Sequence, residues 1–210
     1  MTSYMNEDEQ LEAVKKWWKE NGASIVIGVV LGLAVLFGWQ GWKSYRLAEG
    51  QTASNLYFSM QNQAASGDAD AALVTGKRLL GEHTGSVYAS FAAFKLAQLA
   101  YERGDKASAV ENLGWVVSNA PDRVVADLAR VRLARAYVDQ QQWDLANAQL
   151  DAVDPDFMPG SVAEMRGDIA QARGDLEAAR RAYAEALASP DEVLGTVRLK
   201  LQALGIGESS

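Results

Sequence analysis

Residues 21–42, NGASIVIGVVLGLAVLFGWQGW, run for 22 positions without a charged side chain, and this run constrains the fold more than any other part of the chain. At a rise of about 1.5 Å per residue a helix of this length measures about 33 Å, against a hydrocarbon core of about 30 Å. One crossing of a lipid bilayer is therefore expected. Residues favoured at membrane interfaces flank the run: Lys15, Lys16, Trp17, Trp18 and Lys19 before it, and Trp39, Trp42, Lys43, Tyr45 and Arg46 after it. The apolar stretch exceeds the h-region of a secretory signal, and it ends in Trp-Gln-Gly-Trp where cleavage needs small residues. It reads as an uncleaved signal anchor. Three lysines before the span, against Lys43 and Arg46 just after it, bias the N-terminus to the inside. The expected division is a cytoplasmic amphipathic tail (1–20), a transmembrane helix (21–42) and an exported body (43–210).

The body has about 168 residues, enough for one domain with its own core, and an apolar share of 49% excludes a disordered chain. Formal charge is −7, divided as −2 in the tail and −5 in the remainder. This balance repels phosphate backbones, and no basic cluster interrupts it, which excludes nucleic acid as a partner. The chain has no cysteine, so disulfides and thiolate chemistry are excluded. With four prolines and few β-branched runs, the expected class is all-α.

The body repeats itself. GDKASAVENLGWVV, QQWDLANAQLDAV and GDLEAARRAYAEAL align with Ala109, Ala146 and Ala179 in register, at separations of 37 and 33 residues. Twelve positions earlier stand Ala97, Ala134 and Gly167, and four positions later Leu113, Leu150 and Tyr183. Two packed helices approach closely only where one side chain is small, so each alanine marks a crossing and the bulky residue one turn on fills the space beside it. Pro121, Pro155 and Pro190 close the units. Gly67-Asp68 followed by Ala72 repeats the arrangement of Gly104-Asp105 and Ala109, again 37 residues apart, and marks a fourth, weaker unit whose first helix runs from about Ser44 to Ala65. The expected repeats are about 55–84, 90–121, 127–155 and 160–190. Val193, Leu194, Val197, Leu201 and Leu204 form a helical stripe that caps the last repeat over 191–205.

This pattern resembles the tetratricopeptide repeat, a helix–turn–helix unit with small residues at these two places and a closing proline. The usual leading tryptophan is absent: Ala93, Arg130 and Ala163 stand there. The resemblance implies an α-solenoid of three to four helical hairpins whose first helices line a concave groove. Mapped here, it brings Phe91, Phe94, Lys95, Gln98 and Tyr101 to the surface, joined by Val131, Arg132, Arg135, Met165 and Asp168. This mixed lining suits an extended or helical peptide. Aromatic residues at helical spacing also serve as core, and both roles stay open.

Catalysis needs convergent titratable groups, and the single histidine, His83, follows LLGE in a loop where a solvated polar residue is expected. No phosphate-binding loop is present, since Thr75-Gly76-Lys77-Arg78 falls within a helical pattern. Asp151, Asp154 and Asp156 surround Pro155 but lack the further ligands and closing Glu of a calcium loop. No enzyme activity, metal or cofactor is expected. Within the span, Ser24, Gly28 and Gly32 recur every four residues and offer a flat stripe to another membrane helix, although glycine is common in such helices anyway.

The tail block Glu9-Gln10-Leu11-Glu12-Ala13-Val14-Lys15, followed by Trp17-Trp18 and Glu20-Asn21-Gly22 and joined to a glycine-rich span and degenerate repeats, resembles the ancillary SecYEG translocon subunit family of Gram-negative bacteria. Membership implies a single-pass inner-membrane protein with a periplasmic tetratricopeptide-like domain. It further implies association with the SecYEG translocon and with a membrane-anchored periplasmic chaperone of the prolyl-isomerase type, in the handling of newly exported proteins. A different function is also open from the residues: Leu11, Val14 and Trp18 share one face of the tail, which could capture a cytosolic stress-response regulator or merely rest on the membrane surface.

Overall fold

The computed structural model describes residues 4–189 and 194–205, and every regular element among them is a helix. They are α1 (Tyr4–Ala65), α2 (Ala69–Glu82), α3 (Val87–Glu102), α4 (Lys106–Asn119), α5 (Arg123–Val138), α6 (Trp143–Asp151), α7 (Pro159–Ala172), α8 (Leu176–Ala188) and α9 (Leu194–Ala203). Pro190 and Val193 lie outside the described residues, as does the side chain of Leu194. The chain divides into two units, Met1–Gln51 and Thr52–Ser210, with the boundary inside α1.

The first unit is the greater part of α1. It contains a segment long and apolar enough to cross a membrane, and its large apolar side chains, from Ile25 to Phe37, are exposed. Twenty-one residues separate Trp18 from Trp39, about 31 Å of helix, close to the thickness of a hydrocarbon core. The second end is reinforced locally: the Trp39 and Trp42 rings lie 5.8 Å apart, and the Arg46 guanidinium sits 5.3 Å over the Trp42 ring.

In the second unit the end of α1 pairs with α2, α3 with α4, α5 with α6 and α7 with α8, and α9 packs against α8. Each hairpin turns through one hydrogen-bond pattern. The N–H of Asp68 reaches the carbonyl of Gln63 and that of Gly67 the carbonyl of Ala64. Asp105 and Ala100, Gln142 and Tyr137, and Asp175 and Ala170 repeat the longer bond, all at 2.9 Å. This is the Schellman closure, which needs a left-handed residue just past the helix. Gly67, Gly104 and Gly174 supply it with φ of 84°, 77° and 83°, while the α5–α6 hairpin holds Gln141 at 59°. The next residue then caps the second helix. Asp68, Asp105 and Asp175 accept from the N–H groups of Ala71, Ser108 and Ala178, whereas Gln142 makes no side-chain cap.

The aligned small residues stand at the crossings. Ala72, Ala109, Ala146 and Ala179 are all buried, and so are Ala97, Ala134 and Gly167. Leu113, Leu150 and Tyr183 fill the space beside them. The earliest hairpin reverses this arrangement, with bulky Met60 on its first helix and Gly76 on its second, and a Cβ on Gly76 would lie 2.9 Å from the Met60 methyl. The helices begin a few residues before the repeat starts expected from the sequence, at Val87, Arg123 and Pro159. The first helix of the earliest hairpin is the unbroken end of α1. Val197 of the cap is fully buried, with Leu201 and Leu204 packed beside it against α8.

Candidate protein-binding groove

Because α3, α5 and α7 are the first helices of successive hairpins, residues spaced three to four apart along each fall on one common face of the second unit. Three adjoining clefts open there. The first, of about 500 Å³, is lined by Tyr57, Phe91, Phe94, Lys95 and Arg132 among others. The second, of about 290 Å³, has an apolar floor of Phe94, Ala97, Leu113 and Ala136, rimmed by Gln98, Tyr101, Arg132, Arg135 and Asp139. The third, of about 330 Å³, is polar and runs from Arg135 and Asp139 to Glu164, Asp168 and Lys200.

Aromatic rings build the first end. Tyr57 lies 6.0 Å from both Tyr88 and Phe91, and Tyr88 meets Phe91 edge-on at 6.4 Å. The Arg132 guanidinium stacks 4.5 Å over the Phe94 ring, joining α5 to α3. Further along, the Tyr101 hydroxyl donates to Asp139 Oδ2 at 2.5 Å, and this bond to a carboxylate holds the phenol above its usual range.

A half-buried network closes the other end. Lys200 on α9 donates to Asp168 at 2.7 and 2.8 Å and to Glu164 at 2.8 Å, and the Tyr183 hydroxyl donates to Asp168 at 2.7 Å. Burial, then the Asp168 carboxylate, push the Tyr183 phenol far up. For Lys200, burial pulls downward, but its hydrogen bonds to Asp168 and Glu164 outweigh this and its net direction is up.

The structure thus places Phe91, Phe94, Lys95, Gln98, Tyr101, Arg132, Arg135 and Asp168 along one groove. Two expected members belong elsewhere. Val131 and Met165 are each only 5% exposed and pack with Ile169, Leu150 and Val162 between α5, α6 and α7. Met165 merely borders the third cleft. Val131 is rotated about 100° from Arg132 around the helix, and that rotation carries it inward. Tyr88, Asp139, Glu164 and Lys200 were not foreseen at this face. Tyr88 precedes Phe91 by three residues and Asp139 follows Arg135 by four, so helical spacing alone could have placed both.

Other candidate residues have structural employment. His83, expected in solvent, is 8% exposed at the end of α2, where its carbonyl accepts from the Ser86 N–H. Asp151 pairs with Arg166, and Asp154 lies within reach of Arg123. In the first unit, nothing stands within 4 Å of a Cβ built on Gly28 or Gly32.

Comparison with known proteins places these features. The chain is 29% identical over 166 residues to the ancillary SecYEG translocon subunit of Escherichia coli (strain K12), covering 79% of this chain and 80% of that protein. Proteins of the same name from Haemophilus influenzae (28% over 153 residues, 73% and 74% of the two chains) and Neisseria gonorrhoeae (26% over 164 residues, 76% and 77%) are also similar. The sequence model of the tetratricopeptide repeat-like domain matches residues 15–206, which takes in both the apolar segment and every hairpin, and the chain belongs to that family.

Proposed function

We propose that this chain is a non-enzymatic, membrane-anchored scaffold that accompanies the Sec translocon and binds polypeptides in the groove of its repeat unit. Residues 21–42 cross the bacterial inner membrane with residues 1–20 in the cytoplasm and the repeats in the periplasm. There the groove engages newly exported chains or a membrane-anchored chaperone of the prolyl-isomerase type. The observation that carries this reading is the row of three clefts along α3, α5 and α7, in a chain whose relatives are named as translocon subunits. In the membrane, the bare stripe of Ser24, Gly28 and Gly32 is the face offered to a neighbouring helix.

Site-specific photocrosslinking in intact cells tests it, with probes at Gly32 and Gln98. Translocon subunits at the first and periplasmic or exported proteins at the second are expected. Cytosolic proteins at Gln98 would overturn the topology and the function together. A second reading rests on the tail, where Leu11, Val14 and Trp18 are all exposed. Deleting residues 2–12 releases a bound cytosolic regulator if the tail captures one, and leaves periplasmic associations intact.

A further inference from the structure

Arginines of the second unit are mostly consumed by carboxylates: Arg103 by Asp70, Arg130 by Asp127, Arg166 by Asp151 and Arg173 by Asp144. Acidic residues outnumber basic ones by 27 to 20, so partners are in excess. The groove cations are exceptions, as are Lys77, Lys106, Arg181 and Arg198 elsewhere among the described residues of the unit, but only those at the groove gather beside an apolar cleft. Among the described residues, Lys95, Arg132 and Arg135 have no carboxylate within ion-pair distance. Lys95 reaches only the Gln98 amide oxygen, and Arg132 only the Phe94 ring. These three cations surround the junction of the first two clefts, directly beside the apolar floor of Leu113, Ala97 and Ala136.

We infer that the occupant of this groove is a polypeptide segment in which a large apolar residue is flanked by Asp or Glu. The inference rests on the groove reading above and narrows it. The apolar side chain enters the second cleft, and its acidic neighbours engage Arg132 and Arg135, whose planar guanidinium groups accept a carboxylate through paired N–H donors. Lys95 adds a point charge from the α3 side. At the far end Glu164 and Asp168 are already held by Lys200. Among the described residues lining it, the third cleft offers no cation beyond the shared Arg135 and the engaged Lys200, so the acidic residues sit towards the α3 and α5 side of the apolar anchor.

The test uses the full chain in detergent micelles and three fluorescent peptides sharing a Leu-Phe core, flanked by Asp/Glu, by Asn/Gln or by Lys. Anisotropy gives affinity, and a photoreactive residue at Gln98 reports seating in the groove. The acidic peptide is expected to bind about tenfold more tightly than its amide counterpart, the scale of one charge-assisted hydrogen bond. The advantage should shrink in high salt and vanish in an R132Q/R135Q variant of unchanged helicity. Equal binding of all three peptides with crosslinking at Gln98 would overturn the charge selection and leave the groove reading standing. Absence of crosslinking with every peptide would overturn both. Binding of anionic vesicles through Arg132 and Arg135, with no discrimination among peptides, would assign the cations to a lipid surface and reject the inference.

Discussion

A Cβ added to Gly167 would fall 2.5 Å from Cδ1 of Tyr183, so the backbone of α7 is in direct contact with the face of a ring on α8. That ring cannot step aside, because its hydroxyl is tied to Asp168 and lies 2.8 Å from the Gln171 side-chain oxygen. Gly167→Ala is expected to lower stability by about 1–2 kcal/mol even after the helix-propensity gain of about 1 kcal/mol. Adding Tyr183→Leu, which recreates the Ala134 and Leu150 pairing of the preceding hairpin, should recover part of the loss. Thermal unfolding followed by circular dichroism measures both. A single substitution with undiminished Tm would show that the ring is free to move.

Gly76 presents the opposite case. Its added Cβ would meet the methyl ends of Met60 and Leu96 at 2.9 Å, and these flexible tips can rotate away. Gly76→Ala should therefore stay within about 0.5 kcal/mol of the parent, since the propensity gain of about 1 kcal/mol offsets the crowding. Denaturant titration of both variants separates a rigid contact from a yielding one.

The turn between α5 and α6 lacks both residues that the other three use. Replacing Gln141 by Gly removes the left-handed strain at φ 59°, and replacing Gln142 by Asp restores a cap. Each should stabilise by about 0.5–1 kcal/mol, read as a raised denaturant midpoint. Gly104→Ala, at φ 77°, should move the midpoint the other way.

Asp127 is 1% exposed and ties α5 to the segment between α6 and α7: it accepts from Arg130 at 2.7 Å and Arg123 at 3.4 Å on its own helix and from the Asp154 backbone N–H at 3.2 Å. Asp127→Ala should cost about 2–3 kcal/mol, because a half-buried arginine and a backbone N–H lose their acceptor. Asp127→Asn keeps one acceptor oxygen and should cost less. Equal losses in equilibrium unfolding would mean that packing alone holds this junction.

Alkaline pH should loosen the C-terminal end first. Tyr183 and Lys200 both release their protons at higher pH folded than unfolded. Their contribution is therefore complete below the ordinary values of 10.0 and 10.5 and is lost as pH rises beyond them. Lys200→Met removes the lysine part of this dependence. Hydrogen exchange of α9 amides, compared at neutral and alkaline pH with the intrinsic rate corrected, reports the effect.

Much of this arrangement could be read from residue order. The apolar run, the alanine register and the Gly-Asp turns are local signals, and each needs only a few consecutive residues to express its physics. What escaped was set by neighbours distant in sequence. The exchange of Met60 with Gly76 preserves volume across a pair while breaking the pattern on each helix. Val131 and Met165 share helical stripes with groove residues, but packing between their neighbouring hairpins covers them. Lys200 reached the groove only because the cap folds back over α7. The carboxylate pairing that leaves Lys95, Arg132 and Arg135 alone depends on which arginines meet which aspartates, and no periodicity encodes it.

The four hairpin turns carry a consequence for how such a chain is made. Every closing bond spans five residues and the most extensive packing joins helices adjacent in sequence, so each hairpin can form from what has already been synthesised. Among the described residues the array has no strand that must wait for a distant partner. A ribosome delivers the chain from its N-terminal end, and the hairpins can mature in the order in which they emerge. The contact in which Lys200 reaches back to Asp168 waits for α9, the last helix among the described residues. That contact therefore ties the described array together only after its hairpins have formed.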